Sequence, residues 1–221
     1  MNKRKELAPA RPKKRPHRPK EQKQKFLLCC EGEGTEPGYF TSLADFLRNP
    51  LIELIEIEIA EHESTDPKQI VVQAKSLRAT ANREARQMRD DNLRYDQVWC
   101  VFDRDEHAHF DEAINQALDN KLELAVSNPC FELWILIHYQ EQTAGLTRQD
   151  AQKKVRKYIP NYEKNISFAE LEGRTFKAVR RAGRMEANAK ERGKATDNPS
   201  TGVWRLVKML CDGSTVDINS I

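Results

Sequence analysis

The octapeptide Val98-Trp99-Cys100-Val101-Phe102-Asp103-Arg104-Asp105 joins five apolar, β-prone residues directly to a pair of aspartates. The stretch Phe26-Leu27-Leu28-Cys29-Cys30-Glu31 has the same form, an apolar run that ends in an acid. Short apolar runs bounded by turn residues are typical of buried strands. In an open α/β sheet the carboxyl ends of parallel strands lie at one edge, and ligands bind there. The two stretches therefore predict acidic side chains that meet at one edge of a parallel sheet.

The order of apolar patterns along the chain predicts a β-α-β-α-β-α-β core followed by helices. The predicted strands cover residues 26–30, 53–60, 97–102 and 122–126, and the helices between them cover 38–48, 67–88 and 110–118. Beyond this core only helices are predicted, over 130–139, 148–158, 168–192 and 199–210. Such an alternation favours a mostly parallel sheet with helices on both faces. The predicted fold class is α/β, a four-stranded sheet flanked by helices with a helical C-terminal extension.

The charge of the chain is unevenly distributed. The net charge is +3, yet the first 25 residues hold eleven Lys or Arg and two Glu, so the remainder is acidic. Several prolines in this basic arm predict an extended, disordered segment. Attraction to phosphate is its natural role, and a solubilising tail is the alternative. Three regions are predicted: the arm (1–24), the α/β core (25–139) and a helical C-terminal region packed on the core (140–221).

Composition excludes some classes of protein. No run of about 18 apolar residues is present, so we expect no transmembrane span. The basic N-terminus has no apolar segment after it, so we do not expect it to be a secretory signal. The five cysteines form no CxxC pair, which favours reduced core cysteines in a cytoplasmic protein over disulfides or zinc.

Four acids are candidate metal ligands. Asp103 and Asp105 are two residues apart, so at a strand end both point to the same face. Such neighbouring charges repel and favour a bound cation, and Mg²⁺ or Mn²⁺ suits carboxylate ligands. Glu31 follows the first strand in the same way, and Glu36 lies near a helix N-terminus, where simple capping is the alternative. For the aspartates the alternative is an exposed acidic turn, and His107 is a candidate for a secondary role.

A second group of polar residues follows the fourth predicted strand. Asn128 is predicted to cap a helix that has Pro129 as its first residue, with Ser127 just before it. The N–H groups of this helix end would offer a phosphate site at the acidic edge. Glu132 lies one turn further on, in an apolar helix where a carboxylate needs a partner. Asn198-Pro199-Ser200-Thr201 is predicted to repeat the same cap before the last helix.

Basic residues provide candidate nucleic-acid contacts. Lys177, Arg181 and Arg184 share one face of a predicted helix, and Arg104 lies between the two aspartates. A solvated helix face is the ordinary explanation of the run. Beside an acidic metal site, a track for the phosphate backbone is the functional explanation.

Four motifs in this order resemble a known family. They are Glu31-Gly32-x-Gly34-Thr35-Glu36-Pro37, Phe102-Asp103-x-Asp105-Glu106-His107, Ser127-Asn128-Pro129-x-Phe131-Glu132 and Asn198-Pro199-Ser200-Thr201. The acids after two strands resemble the Toprim fold, and the full set is similar to RloB-like proteins. The resemblance implies a metal-dependent nuclease-like effector of phage defence, often beside an RloA-type ATPase. It further implies that Asp103 and Asp105 hold the metal and that Glu31 binds metal or manages protons.

Two other functions are consistent with the sequence. An apolar run followed by Asp103-x-Asp105 also begins the nucleophile motif of haloacid-dehalogenase-type phosphatases, although the motif falls on the third strand here. The second alternative is a non-catalytic subunit that binds nucleic acid or senses it. The sequence leaves open whether the substrate is DNA or RNA, whether the chain acts alone, how many metals it binds and whether it forms a homo-oligomer.

Overall fold

The computed structural model describes residues 24–48, 55–61, 64–104, 109–191, 197–214 and 217–220. The predicted basic arm, apart from Gln24, lies outside these ranges. The candidate residues Asp105 and His107 also lie outside them.

The described residues form a mixed α/β structure with a mostly parallel sheet. In chain order the elements are β1 (Gln24–Cys30), α1 (Thr35–Leu47), β2 (Ile55–Ile59), α2 (Pro67–Met88), β3 (Gln97–Asp103), α3 (Phe110–Asp119), β4 (Glu123–Asn128), α4 (Glu132–Tyr139), α5 (Arg148–Tyr158), α6 (Thr175–Glu191), β5 (Ser200–Thr201) and α7 (Val203–Ser214). The strand order in the sheet is β2-β1-β3-β4-β5. The first three pairs are parallel, and β5 is antiparallel to β4. The predicted α/β class is confirmed.

The sheet has a fifth strand that the sequence did not predict. Ser200 and Thr201 pair with Asn128 and Ser127 at the end of β4. The helix predicted over 199–210 therefore begins only at Val203. Two residues are too few to show a strand periodicity, which is why this strand escaped the sequence pattern.

The predicted helix caps at the two Asn-Pro pairs are wrong. Asn128 is the last residue of β4, since its backbone pairs with Ser200, and α4 begins later, at Glu132. The second pair, Asn198-Pro199, precedes β5 rather than a helix. By contrast, Asp66 does cap a helix, α2, because its side chain accepts a 2.8 Å hydrogen bond from the backbone N–H of Lys68.

The two faces of the sheet bury separate apolar clusters. Along β1, Phe26, Leu28 and Cys30 face a large cluster under α1, α4, α6 and α7. Leu27 and Cys29 face a smaller cluster under α2 and α3. This strand is apolar on both faces, as expected for a central parallel strand covered by helices. All five cysteines are buried, and none of them forms a disulfide.

Within the described ranges, no helix combines the length and the apolar character that a membrane span requires.

Candidate functional site

A cleft of about 350 Å³ opens at the carboxyl edge of β1 and β3. Its floor is acidic, and part of its wall comes from the chain beyond α4. The lining residues are Glu31, Gly32, Glu33, Gly34, Thr35, Glu36, Thr65, Asp103, Phe131, Glu132, Arg148 and Lys164. Three of the predicted metal ligands, Glu31, Glu36 and Asp103, thus lie around one cavity.

Glu31 and Asp103 are brought together by the pairing of β1 with β3. The register sets Cys30 opposite Val101, and the backbone N–H of Glu31 donates to the carbonyl of Val101 at 2.9 Å. The Glu31 Oε2 atom in turn accepts a 2.7 Å hydrogen bond from the backbone N–H of Asp103. Both residues are buried, with 8% and 5% of their surface exposed. Adjacent strands therefore fix two carboxylates at one point, as the sequence predicted.

Glu36 joins this pair from the first turn of α1. It is 7% exposed, and burial raises its pKa to about 7, with the charges of Glu31 and Glu132 acting in the same direction. Burial, followed by the charges of Glu36 and Glu31, also raises the pKa of Asp103 well above its usual range. Arg148 opposes both shifts. The cleft holds more negative charge than its surroundings balance.

Glu132 completes the acidic cluster at the start of α4. It is 4% exposed. Its Oε1 atom accepts hydrogen bonds from Gln152 Nε2 at 3.0 Å and from the Tyr162 hydroxyl at 3.3 Å. Two neutral donors therefore stabilise this buried carboxylate, and both belong to the part of the chain beyond residue 140. The predicted cap residue Asn128 and its neighbour Ser127 lie at the β4–β5 junction, where Ser127 Oγ is 2.9 Å from Thr201 Oγ1, and neither lines the cleft.

Two cationic side chains of the cleft were missed by the sequence reasoning. Arg148 Nη2 lies 3.2 Å from Asp103 Oδ2, and Lys164 also lines the cavity. One signal could have identified Arg148. The sequence Thr147-Arg148-Gln149-Asp150 is a capping box, which makes Arg148 the first helical residue. A cation there opposes the helix dipole, so its presence calls for a partner outside the helix.

The predicted nucleic-acid contacts make other interactions than with the residues that line the cleft. Arg181 Nη1 donates to the carbonyls of Ile137 and His138 at 2.7 and 3.1 Å, at the C-terminal end of α4. Arg184 pairs with Glu141, and Arg104 lies over the Phe110 ring at 5.2 Å. Lys177 is exposed on the same helix as Arg181 and Arg184. These four residues are not among those that line the cavity.

The acids suit a divalent cation by their chemistry, although not by their present arrangement. Within the described residues, no group of three or more His, Cys, Asp and Glu side chains is arranged to hold a metal ion. Oxygens of Glu31, Asp103 and Glu132 are turned to protein partners, and Asp105 lies outside the described ranges. Carboxylate oxygens are nevertheless the ligands that Mg²⁺ and Mn²⁺ prefer, and the excess of buried negative charge favours such a cation.

The fold and the cleft define an α/β protein with an acidic site at the carboxyl edge of a parallel sheet. The model of the RloB-like protein family matches residues 26–210, which is most of the chain. The chain therefore belongs to the RloB-like family, as its four motifs predicted. No curated protein and no solved structure gave a match.

Proposed function

We propose that this protein is a metal-dependent phosphodiesterase that acts on nucleic acid and that the acidic cleft is its active site. One observation carries the proposal: Glu31, Glu36, Asp103 and Glu132 are buried around a single cavity. Burying like charges together is costly unless a cation or a proton offsets them. Acids held in this way at a ligand-binding edge are typical of a site that works with a cation.

Glu31, Glu36 and Asp103, with Asp105, would hold Mg²⁺ or Mn²⁺. When bound, such a cation activates water and stabilises charge on the leaving oxygen of a phosphodiester. Without a cation, burial among other acids raises the pKa of Glu36 to about 7, so a bound cation would be needed to favour its ionised form at neutral pH. Glu31 joins the ends of β1 and β3 by accepting a hydrogen bond from the Asp103 backbone N–H, so it fixes the position of Asp103 relative to its own carboxylate.

Family membership supports a further proposal, which concerns the biological role of the protein and its partner. The resemblance of RloB-like proteins to effectors of phage defence suggests that the chain acts in such a system, with an RloA-type ATPase as partner. An effector of this kind can be held inactive until its partner releases it. The cleavage assay therefore needs a parallel set of reactions that contain the ATPase.

Isosteric removal of one cleft carboxylate tests the proposal. Wild type, Asp103→Asn and the control Asp119→Asn are incubated with total tRNA, plasmid and single-stranded DNA in Mg²⁺, Mn²⁺ or EDTA. Asp119 is an exposed acid at the end of α3, away from the cleft, so its variant loses the same charge elsewhere. We expect metal-dependent cleavage by wild type and Asp119→Asn, and a loss of about a thousandfold in Asp103→Asn.

Two results would contradict the assignment. One is cleavage by Asp103→Asn at the wild-type rate in a clean preparation. The other is the absence of cleavage by every protein, with and without the ATPase. The second result would favour a non-catalytic subunit, a reading that the engagement of Glu31 and Asp103 with protein partners also supports. Such a subunit would lose most of its nucleic-acid affinity when the basic arm is deleted.

A further inference from the structure

The cleft is acidic on the side of the sheet and cationic on the side of the later helices. Arg148 is the first residue of α5, and its side chain is 37% exposed, whereas that of its partner Asp103 is 7% exposed. The Arg148 side chain is thus partly exposed although it contacts a buried carboxylate, and it lines the cavity. It is therefore accessible to a ligand that enters the cleft.

The backbone that precedes Arg148 is anchored by Asn198, the first residue of the fourth motif. The Asn198 side chain binds the backbone of Leu146 at two points: its Oδ1 accepts from the Leu146 N–H at 3.1 Å, and its Nδ2 donates to the Leu146 carbonyl at 2.8 Å. The next residue, Thr147, accepts a 3.1 Å bond from the Asp150 N–H, and Asp150 Oδ2 accepts from the Thr147 N–H at 3.3 Å. The start of α5 is thereby fixed two residues after an anchored loop.

The position of Arg148 does not serve its own helix. A cation in the first helical position opposes the positive end of the helix dipole. Its guanidinium does suit a phosphate, because the planar fork of N–H groups matches carboxylate and phosphate oxygens alike. Lys164 adds a second cation to the cleft, on a residue whose backbone carbonyl accepts a 2.7 Å bond from Thr35 Oγ1. Both cations thus stand beside the acids that the proposed chemistry needs.

We propose that Arg148 binds a phosphate of the nucleic-acid backbone and that Asn198 positions it for this through Leu146. This inference rests on the proposed function and identifies the phosphate-binding residue of the same site. Without a divalent cation, Arg148 offsets the charge of Asp103. A cation held by Asp103 would repel the Arg148 guanidinium, which would then leave the carboxylate and be available to a substrate phosphate.

The test compares Arg148→Gln with wild type and with Lys157→Gln. Lys157 is exposed on the same helix, nine residues and about 13 Å further along its axis, so its variant loses an equal charge outside the cleft. Binding of fluorescein-labelled single-stranded DNA and of labelled tRNA is measured by anisotropy. One series contains EDTA, and the other contains Ca²⁺, which occupies oxygen ligands.

The exchange predicts a defect that depends on the cation. In Ca²⁺, we expect Arg148→Gln to bind nucleic acid about tenfold more weakly than wild type, with a salt dependence smaller by about one phosphate contact. In EDTA, the two proteins should differ by less than about twofold, because Arg148 is then engaged with Asp103. Lys157→Gln should follow wild type in both series. An equal defect in EDTA and in Ca²⁺, or none in either, would overturn the role of Arg148.

A titration with Mn²⁺ keeps this inference separate from the nuclease proposal. By calorimetry, Arg148→Gln should bind Mn²⁺ several-fold more tightly than wild type and Lys157→Gln, because the competing cation is gone. Equal or weaker Mn²⁺ binding would contradict the exchange even if the protein cleaves nucleic acid. Absence of nucleic-acid binding by wild type would overturn the proposed function and the phosphate role together, while tighter Mn²⁺ binding would still support the competition between Arg148 and the metal.

A comparison of single and double variants tests whether Asn198 positions Arg148. Asn198→Ala should weaken nucleic-acid binding in Ca²⁺ to a smaller extent than Arg148→Gln does. The double variant should be no weaker than Arg148→Gln alone, since the contact that Asn198 positions is already lost. Additive defects of the two substitutions would show that Asn198 does not act through Arg148.

Discussion

The acidic cleft and the basic face of α6 use their charges in opposite ways. In the cleft, four buried carboxylates stand together, and mutual repulsion adds to burial in raising the pKa values of Glu36 and Asp103. On α6, Arg181 donates to the last carbonyls of α4, and Arg184 pairs with Glu141. The first region concentrates buried acids that raise one another's pKa values, whereas Arg181 and Arg184 of the second region are engaged by backbone carbonyls and by Glu141.

The contrast shows why a run of like charges in a sequence is weak evidence of function. A cation at the C-terminal end of a helix stabilises the helix dipole, and Arg181 occupies that place on α4. Arg148 lies in no basic run, yet it faces the cleft. Burial and the balance of charge around a group distinguish the two regions, and neither is visible in the spacing of Lys and Arg.

The largest expected effect on stability concerns the cleft. Because the folded state raises the pKa of Glu36 from 4.5 to about 7, its ionised form is disfavoured in the fold, and stability falls as the pH rises through this range. Glu36→Gln removes this charge. We expect it to raise the free energy of unfolding at pH 8 by up to about 3 kcal/mol, and to have no such effect below pH 4.5.

Urea unfolding at pH 4 and pH 8 measures this difference. Glu84→Gln is a suitable control, because Glu84 is an exposed acid on α2. If Glu36→Gln is no more stable than wild type at pH 8, the cleft is not under electrostatic strain and the contrast with α6 disappears.

The next effect concerns the basic face of α6. Arg181→Gln should lower the free energy of unfolding by about 2 kcal/mol, because it removes charge-assisted hydrogen bonds to the carbonyls of Ile137 and His138. Lys177→Gln, an exposed neighbour on the same helix, should stay within about 0.5 kcal/mol of wild type. Thermal and urea unfolding give these values. A stable Arg181→Gln protein with weakened nucleic-acid binding would restore the phosphate-track interpretation of this face.

The smallest of the three effects concerns Gly32, at the mouth of the cleft. A Cβ atom at Gly32 would overlap Glu36 Oε2, so alanine there must displace the Glu36 carboxylate. The displaced atom ends a flexible side chain, and we therefore expect a loss of only about 1 kcal/mol in stability. The Mn²⁺ affinity, measured by calorimetry, should fall by a larger factor than a free energy of about 1 kcal/mol corresponds to, because Glu36 is a proposed metal ligand. Gly173→Ala, where a Cβ meets no atom within 4 Å, is the control, and equal behaviour of the two variants would contradict the placement of Glu36.

The sequence predicted the parts of the site that depend on local pattern. Apolar runs that end in Glu31 and Asp103 identified two neighbouring strands and their common edge, and the structure brings both residues to one cleft. The division into a core and a C-terminal region, like the metal itself, stays a prediction.

Contacts between distant parts of the chain could not be read in this way. Asn198 binds Leu146 across 52 residues, and the two-residue strand β5 forms only because the end of β4 is there to pair with it. The helix caps predicted at Asn128 and Asn198 failed for the same reason, since strand pairing with a distant segment prevailed over local capping preference. Residues such as Arg148 then acquire their place from tertiary contacts that no local pattern contains.

Calorimetric titration of Mn²⁺ into wild type, Asp103→Asn and Asp119→Asn at pH 7.5 tests the central claim most directly. If the buried acids at the sheet edge form a cation site, wild type and Asp119→Asn should bind Mn²⁺ with the same affinity. Asp103→Asn should lose at least about tenfold in affinity while remaining folded, since it replaces a buried charge with an amide of the same shape. Equal binding by all three proteins, or binding by none, would contradict the claim.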